Sequence, residues 1–292
     1  MLSEPSAYVT GFDGTSLAVY ERGAKSSPVI VLCNGLGGNF DAWDVVVRHF
    51  ERDFRVLSWD YRGLYNSGAI AQRGVVPMNH HVRDVELVLK AAGVEKAVFM
   101  GWSMGVQLNL EIAGRMPERV LGLVGINGTY ASPFKTLFGV GVPDSVSDLI
   151  CSAFRAASPF VGQLGGLLEI VDYGIPAARA IGMFSEEIRD EFLREVVKDF
   201  MGLDFEAYGN ILAGLAAHDA SRHLSRIEAP TLIVGGGIDF ITPAQCSRDM
   251  ASQIPDAVCE ILPRATHYAP LECPARIINL VEKFLLELSG SA

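Results

Sequence analysis

Runs of apolar residues of two kinds alternate along this chain, and their order predicts its architecture. Tyr8-Val9-Thr10 and Leu17-Ala18-Val19-Tyr20 flank Gly11-Phe12-Asp13-Gly14, which reads as a β-hairpin with Asp-Gly as its turn signal. Pro28-Val29-Ile30-Val31-Leu32-Cys33 is continuously apolar, as a strand buried on both faces is, and runs into the glycine-rich Asn34-Gly35-Leu36-Gly37-Gly38. Residues 40–50 read as a short helix and 54–59 as a strand ending at Asp60-Tyr61-Arg62-Gly63. In 79–92, Val82, Val85, Val88 and Leu89 recur at helical spacing, and Gly93 stops the helix. Val98-Phe99-Met100 then reads as a buried strand, 106–116 as a helix and 119–127 as a strand.

Strands alternating with helices predict βαβ units and a mostly parallel sheet flanked by helices. The alternation stops at about Tyr130. Residues 130–208 are helical in pattern, broken by glycines, with no convincing strand. It resumes with strands at 229–234 and 258–262 and helices at 243–254 and 275–288. The expected organisation is therefore a core of residues 1–129 and 209–292, with 130–208 inserted after the sixth strand as a helical lid over the carboxyl ends of the strands. That edge is where open α/β sheets bind ligands.

Composition narrows the functional classes. The chain has 292 residues, 49% apolar and 20% charged, enough for one large α/β core with an insertion. A net charge of −10 and the lack of any Lys/Arg cluster argue against nucleic acid as a partner. The five cysteines, Cys33, Cys151, Cys246, Cys259 and Cys273, are scattered and include no C-x-x-C pair, which speaks against a disulfide framework or a structural zinc site. Free thiols, the absence of a signal-peptide pattern at Met1-Leu2-Ser3-Glu4-Pro5 and the absence of any transmembrane-length apolar run lead us to expect a cytoplasmic protein.

The chemistry is concentrated in Gly101-Trp102-Ser103-Met104-Gly105. A serine between two glycines at a strand-to-helix turn is lifted above the sheet, and the next N–H, that of Met104, stands at a helix N-terminus that favours negative charge. An activated serine needs a base, and the base needs a carboxylate to orient it. Of six histidines, His49, His80, His81, His218 and His223 read as surface or capping residues. His267 lies in the loop Arg264-Ala265-Thr266-His267, just past the last strand. Asp239, in Gly235-Gly236-Gly237-Ile238-Asp239, follows the preceding strand and reaches the same edge.

With these residues in view, the chain resembles the α/β-hydrolase superfamily, in its serine esterase and lipase-like branch with a helical cap, over its whole length apart from the lid. The order Ser103, Asp239, His267 is that superfamily's order of serine, acid and histidine. Gly236-x-x-Asp239-x-x-x-Pro243 looks like its acid loop, His267 followed by Glu272-x-Pro274 like its histidine loop, and Asp60-x-Arg62-Gly63 with Ser67 like the turn after its fourth strand. The resemblance implies the eight-stranded α/β-hydrolase fold, an oxyanion hole made by the backbone N–H groups of Leu36 and Met104, and no metal or cofactor. Three departures stand out. Asn34-Gly35 replaces a frequent His-Gly. Val106 replaces a second glycine, implying slightly wider helix packing. Thr266 replaces the glycine often found before the histidine. Asn34 reads best as a loop-shaping residue, and is carried also as a substrate contact.

The implied reaction is hydrolysis of a carboxylic ester with a short- to medium-chain acyl group, through an acyl-enzyme on Ser103. Trp102, beside the nucleophile, and Phe138 and Phe160, in the apolar lid, are candidates to line the acyl site. The alternatives are a lactonase, C–C bond hydrolase, thioesterase, perhydrolase or acyltransferase on the same scaffold, or a ligand receptor without catalysis. The partner in each case is a small ester or acyl compound.

Overall fold

The computed structural model describes residues 3–72, 74–164, 168–180 and 182–290, with backbone alone for 158–164 and 168–173. Its centre is a single sheet of β1 (Ala7–Thr10), β2 (Ser16–Arg22), β3 (Val29–Cys33), β4 (Arg55–Trp59), β5 (Ala97–Trp102), β6 (Val120–Ile126), β7 (Thr231–Gly236) and β8 (Ala257–Leu262). The spatial order is β1-β2-β4-β3-β5-β6-β7-β8. β1 with β2 and β2 with β4 are antiparallel, and every later pair is parallel. This is the mostly parallel eight-stranded sheet that the apolar runs predict. β4, β5 and β7 are buried at every position because helices cover both faces, whereas the edge strand β8 alternates.

Three helices alternate with the first parallel strands: α1 (Asp44–Phe50), α2 (Met78–Ala92) and α3 (Met104–Arg115). The period-2 pleat sends Ile30 and Leu32 of β3 into one apolar cluster and Val31 and Cys33 into the other. The helix expected at 40–50 begins as a 3₁₀ turn, Phe40–Trp43, whose end is capped by the Asn39 side chain accepting from the Ala42 N–H.

Between β6 and β7 the chain forms α4 (Asp144–Leu164), α5 (Leu168–Ala180), α6 (Asp190–Met201), α7 (Phe205–Ala216) and the short α8 (Ser221–Leu224). The core then closes with α9 (Ala244–Gln253), α10 (Ala269–Glu272) and α11 (Pro274–Gly290). The insertion leaves and re-enters the core at one place. Ala131 and Asp219 form an isolated antiparallel bridge, and the Ala220 N–H donates to Tyr130 O at 2.7 Å. The lid boundary expected after residue 208 falls inside α7, a helix capped by Asp204 and apolar through Leu215. α7 also rests on the core, for a Cβ on Gly214 would stand 1.8 Å from Val76 O. Among the described residues, no helix is long and apolar enough to cross a membrane.

Three of the histidines read as surface or capping residues are neither. His81 is fully buried against Tyr61, and burial with the nearby Arg62 charge pushes its pKa down to about 3. His218 and His223 approach Glu111, whose side chain is fully buried on α3, at 3.0 and 3.3 Å. A polar position that faces inward from a helix looks the same in sequence as one that faces out.

The room for Val106 comes from the opposite strand. Val106 is 1% exposed, and a Cβ on Gly128 would lie 2.4 Å from its Cβ, while one on Gly125 would lie 3.3 Å from its Cγ1. The glycine missing from the helix is compensated by glycines beside it, so wider packing is not needed. Gly128→Ala should therefore destabilise the fold by about 1–3 kcal/mol through overpacking. Adding Val106→Gly should recover much of that loss, as a double-mutant cycle of denaturant unfolding would measure. Strict additivity of the two changes would contradict the proposed complementarity.

Candidate active site

The geometry begins where β5 turns into α3. A Cβ on Gly101 would stand 2.4 Å from Gly105 O, and one on Gly105 would stand 2.0 Å from Cys33 O. Both positions exclude a side chain, and their absence lets the first turn of α3 press on the end of β3. Ser103, between them, has φ 54 and ψ −115, a left-handed conformation costing about 1–3 kcal/mol in a residue other than glycine. Its N–H donates to Ile126 O at 3.0 Å, which ties the turn to the end of β6.

Three loops bring the remaining groups to Ser103. The Ser103 hydroxyl lies 2.8 Å from His267 Nε2, and His267 Nδ1 lies 2.8 Å from Asp239 Oδ2. Asp239 is 5% exposed and densely bonded: Oδ1 accepts from the N–H groups of Ile241 and Thr242, and Oδ2 from the Thr242 hydroxyl at 2.8 Å and Asn127 Nδ2 at 2.9 Å. Burial pushes this carboxyl up, but the His267 charge and the hydrogen bonds from His267, Asn127 and Thr242 outweigh it and hold it below the usual carboxylate range. A carboxylate only accepts, so Nδ1 of His267 carries a proton and donates it to Asp239. The lone pair of the neutral ring is then on Nε2, facing the serine.

The glycine-rich loop lies against the same serine, with a Cβ on Gly35 placed 3.3 Å from Ser103 Cβ. Aromatic side chains hold this loop. Tyr61 donates its hydroxyl to Asn34 O at 2.6 Å, Trp43 Nε1 donates to Asn34 Oδ1 at 2.9 Å, and Tyr65 donates to Gly37 O. The Trp102 ring lies beneath it, 3.1 Å from a Cβ on Gly35 and 2.9 Å from one on Gly38. Neither Leu36 N–H nor Met104 N–H has a protein acceptor among the described residues. Two free donors therefore border the serine, one at the N-terminus of α3.

Of the four residues considered for substrate contact, three are placed by the structure. Asn34 is 1% exposed, and its amide is used by Trp43 and by Trp59 O, which leaves the loop-shaping reading and removes the substrate contact. Trp102 is 5% exposed, donates to His267 O at 2.8 Å and packs on Tyr268 and Trp43, so it supports the loops from below. Phe138 is 65% exposed and stacks on Phe240 at the rim. The Phe160 side chain lies outside the described residues.

Sequence reasoning did not find Asn127, and it marked Glu272 only as part of the histidine-loop pattern, without its contacts. Asn127, at φ 47 just past β6, donates to both Asp239 Oδ2 and Thr266 O at 2.9 Å, stapling the acid loop to the histidine loop. Glu272 accepts from the Thr266 N–H at 2.8 Å and the Ser185 N–H at 3.0 Å, tying that loop to the insertion. The Asp239-x-x-Thr242 spacing is a side-chain-to-backbone turn legible in sequence. The contacts of Asn127 span 112 and 139 residues, which no local pattern reports.

This architecture has known counterparts. Residues 28–147 match the α/β-hydrolase-fold family. The 3-oxoadipate enol-lactonase 1 of Acinetobacter baylyi is 25% identical over 284 residues, spanning 96% of this chain and 97% of that protein. Among solved structures, a hydrolase from Pseudomonas aeruginosa PA01 superposes with a TM-score of 0.77 at 25% identity, covering 96% of this chain and 97% of that one. A thermophilic esterase from Thermogutta terrifontis, with malate bound, superposes at 0.78 and 21% identity over 97% and 98% of the two chains, a likeness of fold.

Asn127→Asp should raise the pH at which Asp239 takes up a proton, because a second carboxylate replaces a donor 2.9 Å away. Carboxyl ¹³C titration reads this directly. An unchanged Asp239 titration would mean that the staple does not exist in solution.

Proposed function

We propose that this chain, a member of the α/β-hydrolase superfamily, hydrolyses carboxylic esters of short- to medium-chain acyl groups through an acyl-enzyme on Ser103. The observation that carries this reading is the unbroken hydrogen-bond line from the Ser103 hydroxyl through His267 to Asp239, at 2.8 Å in each step. His267 Nε2 takes the hydroxyl proton as Ser103 Oγ attacks the acyl carbon. The carbonyl π electrons move onto oxygen, and the N–H groups of Leu36 and Met104 receive the resulting anion. Collapse expels the alcohol, which takes the proton from His267. Water then attacks the acyl-enzyme with His267 again as base, releasing the acid and restoring Ser103.

Asp239 keeps the imidazole in the required tautomer and stabilises its charged form. Residues 130–208, extended by the rest of α7, act as a cap that excludes water and selects the acyl group. A lactone is an internal ester open to the same attack, and the enol-lactonase relationship favours it as a second substrate class. The mechanism needs no metal or cofactor.

A panel of p-nitrophenyl esters of graded length together with lactones tests the reading. Wild type should turn over at least one of them, Ser103→Ala should lose about 10³-fold or more, and Asp239→Asn should lose about 10⁴-fold. Fluorophosphonate should label wild type and not Ser103→Ala. Labelling that persists in Ser103→Ala, or no turnover of any ester or lactone, would contradict the assignment.

A further inference from the structure

Among the described residues, three tyrosine hydroxyls are spent on protein acceptors. Tyr20 donates to Asp60 at 2.7 Å, Tyr61 to Asn34 O at 2.6 Å and Tyr65 to Gly37 O. Two at the site are not. Tyr208 on α7 leans on the oxyanion loop, its Cε2 3.1 Å from where a Cβ on Gly37 would stand. Tyr268 follows His267 directly, its ring perpendicular to the imidazole at 5.8 Å. Neither hydroxyl has a hydrogen-bond partner among the described residues, and neither side chain is completely covered. One thus stands at the glycine-rich loop and the other beside the base.

The surroundings are apolar. Tyr208 packs on Phe154 at 4.8 Å and Phe200 at 5.3 Å, and Tyr268 on Phe184 at 4.5 Å, all from the insertion. Tyrosine hydroxyls held in such a lining normally find a partner. Burial raises the Tyr208 pKa, followed by the influence of Tyr268 and Cys151. Burial, with Asp239 and Glu272 nearby, pushes Tyr268 up to about 12. Both hydroxyls therefore stay protonated and able to donate at neutral pH. The nearby carboxylates oppose a second anion, which leaves an uncharged acceptor as the fitting partner.

We propose that Tyr208 and Tyr268 are specificity-determining residues that donate hydrogen bonds to a keto carbonyl on the acyl group, apart from the scissile ester. The preferred substrate is then an uncharged oxo-acyl ester, not a plain alkyl ester. The proposal rests on the reading of Ser103 as the acyl acceptor.

Ethyl hexanoate and ethyl 3-oxo-, 4-oxo- and 5-oxohexanoate match in length and differ only in the acceptor. With kcat/KM followed by proton release and corrected for each ester's hydroxide-catalysed rate, wild type should favour one oxo ester by about twentyfold. That ratio should fall about fivefold in Tyr208→Phe and in Tyr268→Phe, the size of one neutral hydrogen bond. Dissociation constants of the same four esters on Ser103→Ala should carry the same preference without turnover. Equal values for all four esters on wild type and on Ser103→Ala, or a preference unchanged in both phenylalanine variants, overturns the proposal. A preference kept in binding to Ser103→Ala while wild type hydrolyses none of the four supports the recognition site and defeats the esterase reading instead.

Discussion

Everything at the carboxyl edge of this sheet depends on how closely α3 approaches β3. A Cβ at position 105 would stand 2.0 Å from Cys33 O and one at 101 would stand 2.4 Å from Gly105 O, so backbone meets backbone with nothing between. That approach forces Ser103 into its left-handed conformation and sets the first N–H of α3 beside the loop that leaves β3. The local cost is about 1–3 kcal/mol, borne by the parallel strands and two apolar clusters that fix both elements. Because the constraint is steric, it specifies position within tenths of an ångström, which weaker polar contacts alone would not.

Polar contacts then finish what packing begins. The glycine-rich loop is held by Tyr61, Trp43 and Tyr65 from the sides and by Trp102 from below. The acid and histidine loops are joined by Asn127, and the histidine loop is joined to the insertion by Glu272. Such support matters because preorganised donors stabilise developing charge only where they do not need to reorient. It also assigns a use to two departures from the superfamily's common pattern. Asn34 offers an acceptor to Trp43, and Thr266 offers a hydroxyl to Glu272.

The fold was legible to the extent that its signals are local. Buried parallel strands advertise themselves as unbroken apolar runs, so each strand lies within a few residues of its expected place. Ser103, Asp239 and His267 were legible because strand ends in a parallel sheet share one edge, so chain order translates into proximity. The supporting residues were not. Asn127 looks like any strand-end asparagine, His81 like any polar helix residue, and both take their meaning from partners far away in sequence. The reading of Trp102 as a substrate contact failed for a related reason. Adjacency to the serine does not say which face of the sheet a side chain takes, and along β5 the pleat sends Trp102 to the face that carries α1 and α11. The boundary expected after residue 208 falls inside α7 because an apolar helix has no break in its pattern to mark a border.

The central claim is that Ser103 is placed so that an oxyanion formed on it meets the N–H groups of Leu36 and Met104. The most direct test is a crystal structure of the protein inactivated with an alkyl phosphonate. Phosphorus should be bonded to Ser103 Oγ, with one phosphonyl oxygen about 2.7–3.1 Å from both N–H groups. A phosphonyl oxygen turned away from these donors, or a phosphonate bonded to a residue other than Ser103, would contradict it.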